Sequence, residues 1–246
     1  MAALLQTRGL RLSFGGVVAA DGIDFELHPG ERLAVIGANG AGKTTFINMV
    51  TGYIAPSAGQ VFFDGAEITG LHPRHIVRRG IARSFQLPQL FLEHTLRHSV
   101  ELAVAARSGH LSLWRGLSQC VDRQEIEQLL GVLGLAARAD QPCASLSEGH
   151  RKLLDVALAL VLRPKLLIMD EPTSGVAADE KHPLMATIIK ALDERSVTTM
   201  FVEHDVDIVT TYATRVAAWI AGRIAADGPP AEVMANDEVR SVVLGH

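Results

Sequence analysis

The chain has 246 residues, of which 48% are hydrophobic and 20% are charged, and its formal net charge at neutral pH is −4. This balance excludes intrinsic disorder, which needs low hydrophobicity and high net charge, and it gives no reason to expect a nucleic acid as partner. No apolar stretch reaches the roughly 18 to 20 residues that cross a bilayer, so we expect that the chain does not cross a membrane.

The first third of the chain predicts strands around a glycine-rich loop. The start is β-rich, with glycines at the turns between strands. Residues 32–37 (RLAVIG) predict a short apolar strand that leads into the loop, and residues 43–52 have helical spacing that stops at a glycine. Residues 60–65 (QVFFDG) and 81–86 (IARSFQ) each predict a further short strand.

The rest of the chain predicts helices followed by an alternation of strands and helices. Residues from about 87 to 160 are expected to be mostly helical, with a loop near Ser108–Ser118. Beyond them the alternation implies a parallel sheet with helices on its faces. The expected elements are the strands KLLIMD, VTTMFVE and RVAAWIA, the helices DEKHPLMATIIKALDER and DVDIVTTYA, and a final hairpin with one short terminal helix.

The loop GANGAGKTT, Gly37–Thr45, fits the phosphate-binding pattern G-x-x-x-x-G-K-[ST], with a predicted strand before it and a helix after it. Its glycines let successive N–H groups point at phosphate oxygens, and the helix N-terminus adds a partial positive charge. Lys43 brings a charge to the β- and γ-phosphates, and Thr44 offers a hydroxyl ligand to Mg²⁺. The alternative is a glycine-rich turn that binds nothing. The candidate nucleotide-binding residues are Gly37, Asn39, Gly40, Ala41, Gly42, Lys43, Thr44 and Thr45.

Two adjacent carboxylates end the apolar stretch LLIMDE, Leu166–Glu171. Ligands of open α/β sheets lie at the carboxyl ends of the strands, so Asp170 is expected beside the phosphate loop. There Asp170 can hold Mg²⁺, directly or through water, and Glu171 can polarise an attacking water molecule. The alternative is an acidic strand end that faces solvent, but a phosphate loop in the same chain favours the functional interpretation.

Three further features follow a fixed order along the chain. They are Gln86 after a short strand, LSEGH at residues 146–150, and His204 after the strand VTTMFVE. With the phosphate loop and the two carboxylates, they resemble the ATP-binding cassette (ABC) family over nearly the whole chain. The resemblance implies that Gln86 senses Mg²⁺ and a membrane partner, and that His204 contacts the γ-phosphate.

The same resemblance implies roles for residues farther from the phosphate loop. The ring of Phe14 is expected to stack on adenine; the family usually has Tyr there, and Phe keeps the π face. Ser147 and Gly149 begin a helix, and their hydroxyl and N–H are expected to bind the γ-phosphate of an ATP that a second subunit holds. Ser147 is also expected to be the N-cap of that helix.

The resemblance also implies the architecture. The expected fold is an α/β P-loop NTPase, an ABC nucleotide-binding domain with a mostly parallel sheet core, an antiparallel β subdomain and an inserted α-helical subdomain. A single domain covers residues 1–246. Residues 1–86 and 161–246 form the catalytic core with the β subdomain, and residues from about 87 to 160 form the helical subdomain.

Several phrases resemble the ATPase subunits of branched-chain amino-acid (Liv-type) importers; they are FGGVVAADGIDFEL, NGAGKTTFINMVTG, GIARSFQ, FVEHD and GRIAADGPPAEV. The implied function is ATP hydrolysis, with ATP and Mg²⁺, that powers the import of branched-chain amino acids or a related small polar or organic-acid substrate. The implied partners are a second ABC ATPase subunit, transmembrane permease subunits and, indirectly, a periplasmic binding protein. The implied location is the cytoplasmic face of the membrane.

Four positions depart from the family pattern. The usual signature L-S-G-G-Q has Glu148 and His150 here; Glu148 is expected to point away from phosphate, and His150 to keep a donor for a ribose. Leu158 stands where Arg is common, and Ala177 where Asp or Asn is common. Glu148, His150 and Ala177 all belong to the half that is offered to the partner's ATP. This pattern favours a heterodimer with a non-identical ATPase subunit over a homodimer.

Other residues are expected to have no special chemistry. A solvated helix face is the preferred interpretation for four arginines, Arg74, Arg78, Arg79 and Arg83. His94 and His98 have the spacing of one helix face, but no further metal ligands are evident. Cys120 and Cys143, without a secretory signal, favour a reducing cytosol and no disulfide framework.

The segment Leu87–Leu92 is different, because it is apolar and follows Gln86 directly. By resemblance it belongs to the cleft that receives a permease helix, and the alternative is a plain surface loop.

Three rival functions of the chain stay open. They are an ABC exporter or lipid-extraction ATPase, a soluble ABC ATPase that acts on ribosomes or DNA, and an unrelated P-loop kinase.

Overall fold

The structure is a computed structural model that describes residues 2–86, 88–108 and 121–243. An antiparallel sheet consists of the four strands β1 (Leu5–Phe14), β2 (Val17–Leu27), β4 (Ala58–Phe63) and β5 (Ala66–Glu67). Their spatial order is β2-β1-β4-β5. This sheet is the antiparallel part that the sequence predicted.

A second sheet consists of the six strands β3 (Arg32–Gly37), β6 (Ile81–Ser84), β7 (Leu166–Asp170), β8 (Thr198–Val202), β9 (Arg215–Ile220) and β10 (Arg223–Gly228). Their spatial order is β10-β9-β3-β8-β7-β6. All neighbours pair in parallel except β10, which pairs antiparallel with β9. Because the strands are parallel, the chain leaves β3, β6, β7 and β8 at the same edge of the sheet.

The helices in the described ranges are α1 (Lys43–Val50), α2 (Pro73–Arg79), α3 (Leu96–Ser108), α4 (Arg123–Val132), α5 (Glu148–Val161), α6 (Ala178–Asp193), α7 (Val206–Tyr212), α8 (Pro230–Ala235) and α9 (Asp237–Val243). Residues 133–147 contain two 3₁₀ turns, Ala136–Arg138 and Cys143–Ser145. The predicted loop near Ser108–Ser118 lies outside the described residues, apart from Ser108, which ends α3.

Two predictions about helices were wrong. The chain ends in two helices instead of one, because the side chain of Asn236 accepts hydrogen bonds from the N–H groups of Glu238 and Val239 and starts α9 as a new helix. His94 does not share a helix with His98, because α3 begins at Leu96.

The six-stranded sheet is buried on both faces. Alternate residues of β3 point to opposite sides, with Leu33 and Val35 in one hydrophobic cluster and Ala34 and Ile36 in the other. The first cluster joins the sheet to α1 and the antiparallel sheet, and the second joins it to α3, α4, α5 and α6. Burial on both faces explains why β7 is apolar up to Asp170, why β8 is apolar after Thr199, and why neither shows an alternation of apolar and polar residues. None of the described helices is long and apolar enough to span a membrane.

Candidate functional site

The phosphate loop joins β3 to α1 in a backbone conformation that glycine allows. Gly42 is the N-cap of α1, with φ 103, and no side chain caps the helix there. A Cβ atom at Gly42 would lie 2.2 Å from the carbonyl oxygen of Ala19, so no other residue fits without movement. The first N–H groups of α1 therefore lack a side-chain acceptor, and an anion such as a phosphate can accept their hydrogen bonds.

A cavity of about 170 Å³ lies over this loop. Nine of the predicted site residues line it, together with Ala19 and Val202; they are Asn39, Gly40, Ala41, Gly42, Lys43, Thr44, Thr45, Glu171 and His204. Larger cavities of about 340 and 720 Å³ lie elsewhere on the described surface. The polar lining, and not the volume, therefore distinguishes the site.

Lys43 lies against the loop that precedes it. Its ammonium group donates hydrogen bonds to the carbonyl oxygens of Gly37, at 2.6 Å, and Ala38, at 3.0 Å. Burial lowers the pKa of Lys43, and the charges of Glu171 and Asp170 oppose this shift. An ammonium group with three donors, at the floor of the cavity, fits a phosphate ligand.

Glu171 is the centre of the second part of the site. The side-chain amide of Gln86 donates to its Oε2 at 2.6 Å, and Nε2 of His204 lies 3.3 Å from its Oε1. The backbone of Glu171 has φ 50, and its N–H donates to the carbonyl oxygen of Val202 at 3.0 Å. Three predicted residues from three strand ends therefore meet at one carboxylate.

Asp170 has a partner that the sequence did not suggest. Arg83 donates to Oδ2 of Asp170 at 2.9 Å and to the side-chain oxygen of Asn48 at 2.6 Å. The prediction that Arg83 belongs to a solvated helix face was wrong, because α2 ends at Gly80, which has φ 106, and Arg83 lies in β6. The available signal was a charged residue inside an apolar strand, which needs a buried partner.

Two further buried charges that contact residues of the site were missed. Lys152 in α5 is 3% exposed, and Glu203 is 4% exposed. The carboxylate of Glu203 accepts hydrogen bonds from the N–H and hydroxyl of Thr173, at 2.9 and 2.6 Å, and from the N–H of His204 at 3.2 Å. Glu203 thereby fixes the loop after β8 against the loop after β7.

The oxygen atoms at this edge fit a magnesium ion. The hydroxyl of Thr44, the second carboxylate oxygen of Asp170 and the amide oxygen of Gln86 are the hard ligands that Mg²⁺ prefers. The described residues contain no cluster of three or more His, Cys, Asp or Glu that could hold a metal. A metal here would therefore depend on phosphate oxygens and water for its remaining ligands.

The segment LSEGH begins helix α5, as predicted. Ser147 is the N-cap, and its hydroxyl accepts a hydrogen bond from the N–H of His150. Nδ1 of His150 lies 2.5 Å from this hydroxyl, and its Nε2 accepts from Arg138 at 2.9 Å. Burial, and next the charge of Arg138, lower the pKa of His150. Both ring nitrogens are used within the chain, so the expectation of a free donor for a ribose was wrong for this conformation.

Six predicted site residues do not line the cavity; Gly37, Gln86 and Asp170 contact or adjoin residues that do, whereas Phe14, Ser147 and Gly149 lie apart from it. Phe14 is the last residue of β1 and is 52% exposed. Cys143 is buried, and its sulfur lies 3.5 Å from the hydroxyl of Ser99, whereas Cys120 lies outside the described residues. The single chain thus brings the phosphate loop, Glu171 and His204 together at one cavity, whereas the predicted adenine contact and the start of α5 lie away from it.

A phosphate loop between a parallel strand and a helix, with an Asp–Glu pair at a neighbouring strand end, defines a P-loop nucleoside triphosphatase. The model of the family described as ABC transporter matches residues 20–174. The chain belongs to this family and is one of its transporter ATPases, which bind nucleotide.

Relatives with known names match almost the whole chain. BraF of Pseudomonas aeruginosa, a high-affinity branched-chain amino acid transport ATP-binding protein, is 33% identical over 98% of both chains. LivG of Archaeoglobus fulgidus, a probable protein of the same kind, is 35% identical over 98% of this chain and 95% of its own. A solved structure, the ADP conformation of MJ1267, an ATP-binding cassette of an ABC transporter, is 28% identical to this chain. The structural match covers both chains fully, with a TM-score of 0.83. The predicted α/β fold of the ABC type is confirmed.

Proposed function

We propose that the chain is the ATP-hydrolysing subunit of a membrane importer for branched-chain amino acids or a related small polar or organic-acid substrate. The observation that carries the hydrolytic part is the carboxylate of Glu171, which borders the phosphate cavity and contacts Gln86 and His204. The importer part is supported by relatives such as BraF and LivG, whose names state branched-chain amino acid transport.

In this proposal each side chain has a definite task. Lys43 and the N-terminus of α1 bind the phosphates, Thr44 and Asp170 with Gln86 hold Mg²⁺, and Phe14 stacks on adenine. When bound, Mg²⁺ neutralises charge on the β- and γ-phosphate oxygens. Glu171 accepts a hydrogen bond from the attacking water molecule, and this bond directs a lone pair of the water oxygen at the γ-phosphorus.

The remaining ligands of each ATP come from the other subunit. In this chain, Ser147 and Gly149 begin α5 at the surface and are available to the partner's ATP. In the same half, the ring of His150 is held by Arg138, and Ala177 caps α6 without a side-chain hydrogen bond. These features support a non-identical partner whose ATP is gripped less firmly than the one bound in this chain.

The surface after Gln86 supports docking to a permease at the cytoplasmic face of a membrane, while a periplasmic binding protein would deliver the cargo. Phe91 is 66% exposed and Leu92 is 48% exposed. Leu87, at the start of this predicted segment, lies outside the described residues. Exposed aromatic and aliphatic side chains of this kind mark protein contacts.

The test is to purify the complex that the full chain forms in a detergent extract and to measure uptake of radiolabelled leucine in proteoliposomes. We expect ATP-dependent accumulation, and we expect Phe91→Asp to lose the co-purifying permease while the chain still binds ATP. ATP-driven movement of substrate or lipid out of the bilayer would instead support the exporter alternative. Failure to recover any membrane protein would contradict both.

A further inference from the structure

Helix α5 carries a buried lysine that contacts both functional strand ends. The ammonium group of Lys152 donates to the carbonyl oxygen of Gln86 at 2.5 Å and to that of Glu171 at 3.2 Å. A buried ammonium group loses its hydration, so a position of this kind requires compensating partners. The two backbone carbonyls are those partners. One belongs to Glu171, and the other belongs to Gln86, whose side chain donates to the Glu171 carboxylate.

Asp155 acts one helical turn later on the same face of α5. Its Oδ2 accepts a hydrogen bond from the N–H of Phe85 at 3.0 Å. Lys152 and Asp155 therefore hold backbone groups of two consecutive residues after β6, Gln86 through a donor and Phe85 through an acceptor. We call these two side chains the α5 clamp.

The backbone of Glu171 needs such support. A non-glycine residue with φ 50 lies in the left-handed region and persists only where its surroundings hold it. Its N–H is bound to Val202, and its carbonyl oxygen is bound to Lys152. The direction of the Glu171 side chain therefore depends on the position of α5.

Charge around Lys152 favours its ammonium form. Burial lowers the pKa of Lys152, and the carboxylates of Glu148, Asp155, Glu203 and Glu171 oppose this shift. Two of these four, Glu148 and Asp155, lie on α5 itself, within one turn of Lys152 on either side.

We propose that the α5 clamp positions Gln86 and Glu171 for hydrolysis, so that Lys152 and Asp155 are positioning residues of this chain's own ATP site. Since α5 begins at Ser147, the same helix offers its N-terminus to the second subunit and its clamp to Glu171. A displacement of α5 on pairing is then transmitted to the water-polarising carboxylate. This inference rests on the proposed hydrolytic role of Glu171.

The first measurement is amide exchange in the full-length chain without nucleotide, so it does not depend on hydrolysis. In Lys152→Met, which keeps the length of the side chain but loses its donors, we expect exchange at the amides of Phe85 and Glu171 to be at least tenfold faster. Lys190→Met, an exposed change of the same kind on α6, is the control and is expected to leave both amides unchanged. Equal exchange in the two variants would overturn the clamp, whatever the outcome for the proposed function.

The second measurement is ATP turnover by the complex that contains each variant. For Lys152→Met we expect kcat to fall at least tenfold while the Kd for ATP stays within threefold, because the phosphate loop is not touched. If Lys152→Met does not fold, Asp155→Leu replaces it and is expected to give the same division between kcat and Kd, with faster exchange at Phe85. An unchanged kcat, or equal losses in kcat and in ATP affinity, would overturn the positioning role.

Discussion

Glu171 shows how much of this site is decided by individual contacts. Its backbone lies in the left-handed region, its N–H donates to Val202, and its carboxylate contacts Gln86 and His204. Strain of this kind costs of order 1–3 kcal/mol and recurs at functional sites because surrounding contacts enforce it. Contacts within the chain thereby fix the carboxylate at the cavity.

The ion pair between Arg83 and Asp170 predicts a large effect on stability. Both side chains are only 10% exposed, so removal of one partner leaves a buried charge. We expect Arg83→Met to lower the free energy of unfolding by about 3 kcal/mol, measured by urea denaturation. Arg79→Met, at an exposed position of α2, is the matched control. Equal stability of the two variants would show that the pair contributes nothing.

Asp155 predicts a pH dependence of stability. Burial raises its pKa from an ordinary value of 3.8 to about 6, although the N–H of Phe85 and the charge of Lys152 oppose this. A raised carboxyl pKa favours the protonated form in the folded state, so its stabilisation is complete below about pH 4 and is lost as pH rises through 6. Two pKa units correspond to about 3 kcal/mol.

Asp155→Asn removes this titration and identifies its source. We expect the free energy of unfolding of the variant, relative to the original chain, to increase by about 3 kcal/mol between pH 4 and pH 7. The measurement is a series of denaturant titrations at half-unit steps of pH. A constant difference across this range would show that Asp155 does not titrate there.

The residues of the site differ in how far the sequence predicts them. The phosphate loop and the carboxylate pair were predictable, because each is a contiguous stretch with a required element on both sides. Arg83, Lys152 and Glu203 were not, because their partners are far away in sequence and meet only after the strands have paired. A charge inside an apolar stretch predicts that a partner exists, but it does not predict which one.

At the scale of elements, helix boundaries depend on a few capping residues. Asp122, Ser147 and Asp205 each cap a helix through a side-chain acceptor. Helix α6 lacks one, since its N-cap is Ala177, with φ −59 and ψ 146. Arg83 shows a related difficulty, because it was assigned to one helix face with the arginines of α2, whereas Gly80 ends that helix before β6.

A better cap at Ala177 is expected to stabilise the chain. In Ala177→Asn the side-chain oxygen can accept from the first turn of α6, so we expect the free energy of unfolding to rise by about 1 kcal/mol. Ala178→Asn, one residue inside the helix, lacks this geometry and serves as the control in the same urea titrations. A loss of stability in Ala177→Asn would mean that its backbone is not in a capping conformation.

At the scale of the whole molecule, the parallel sheet explains why residues so far apart in sequence form one site. The chain leaves β3, β6, β7 and β8 at a single edge, and the phosphate loop, Gln86, Glu171 and His204 follow these strands. Ser147 lies outside the cavity, in accordance with the proposal that it contacts the ATP of a second subunit. The alternation of strands and helices predicted the sheet, but a pairing surface for another chain leaves no periodic signal.

The central claim is that Glu171 polarises the water that attacks ATP bound over the Lys43 loop. Its most direct test compares ATP hydrolysis and ATP binding in the complex with Glu171→Gln and, as a matched exposed control, Glu194→Gln. We predict that Glu171→Gln lowers kcat by about 100-fold or more and leaves the Kd for ATP within threefold, whereas Glu194→Gln changes neither. Hydrolysis at the original rate by Glu171→Gln would contradict the account.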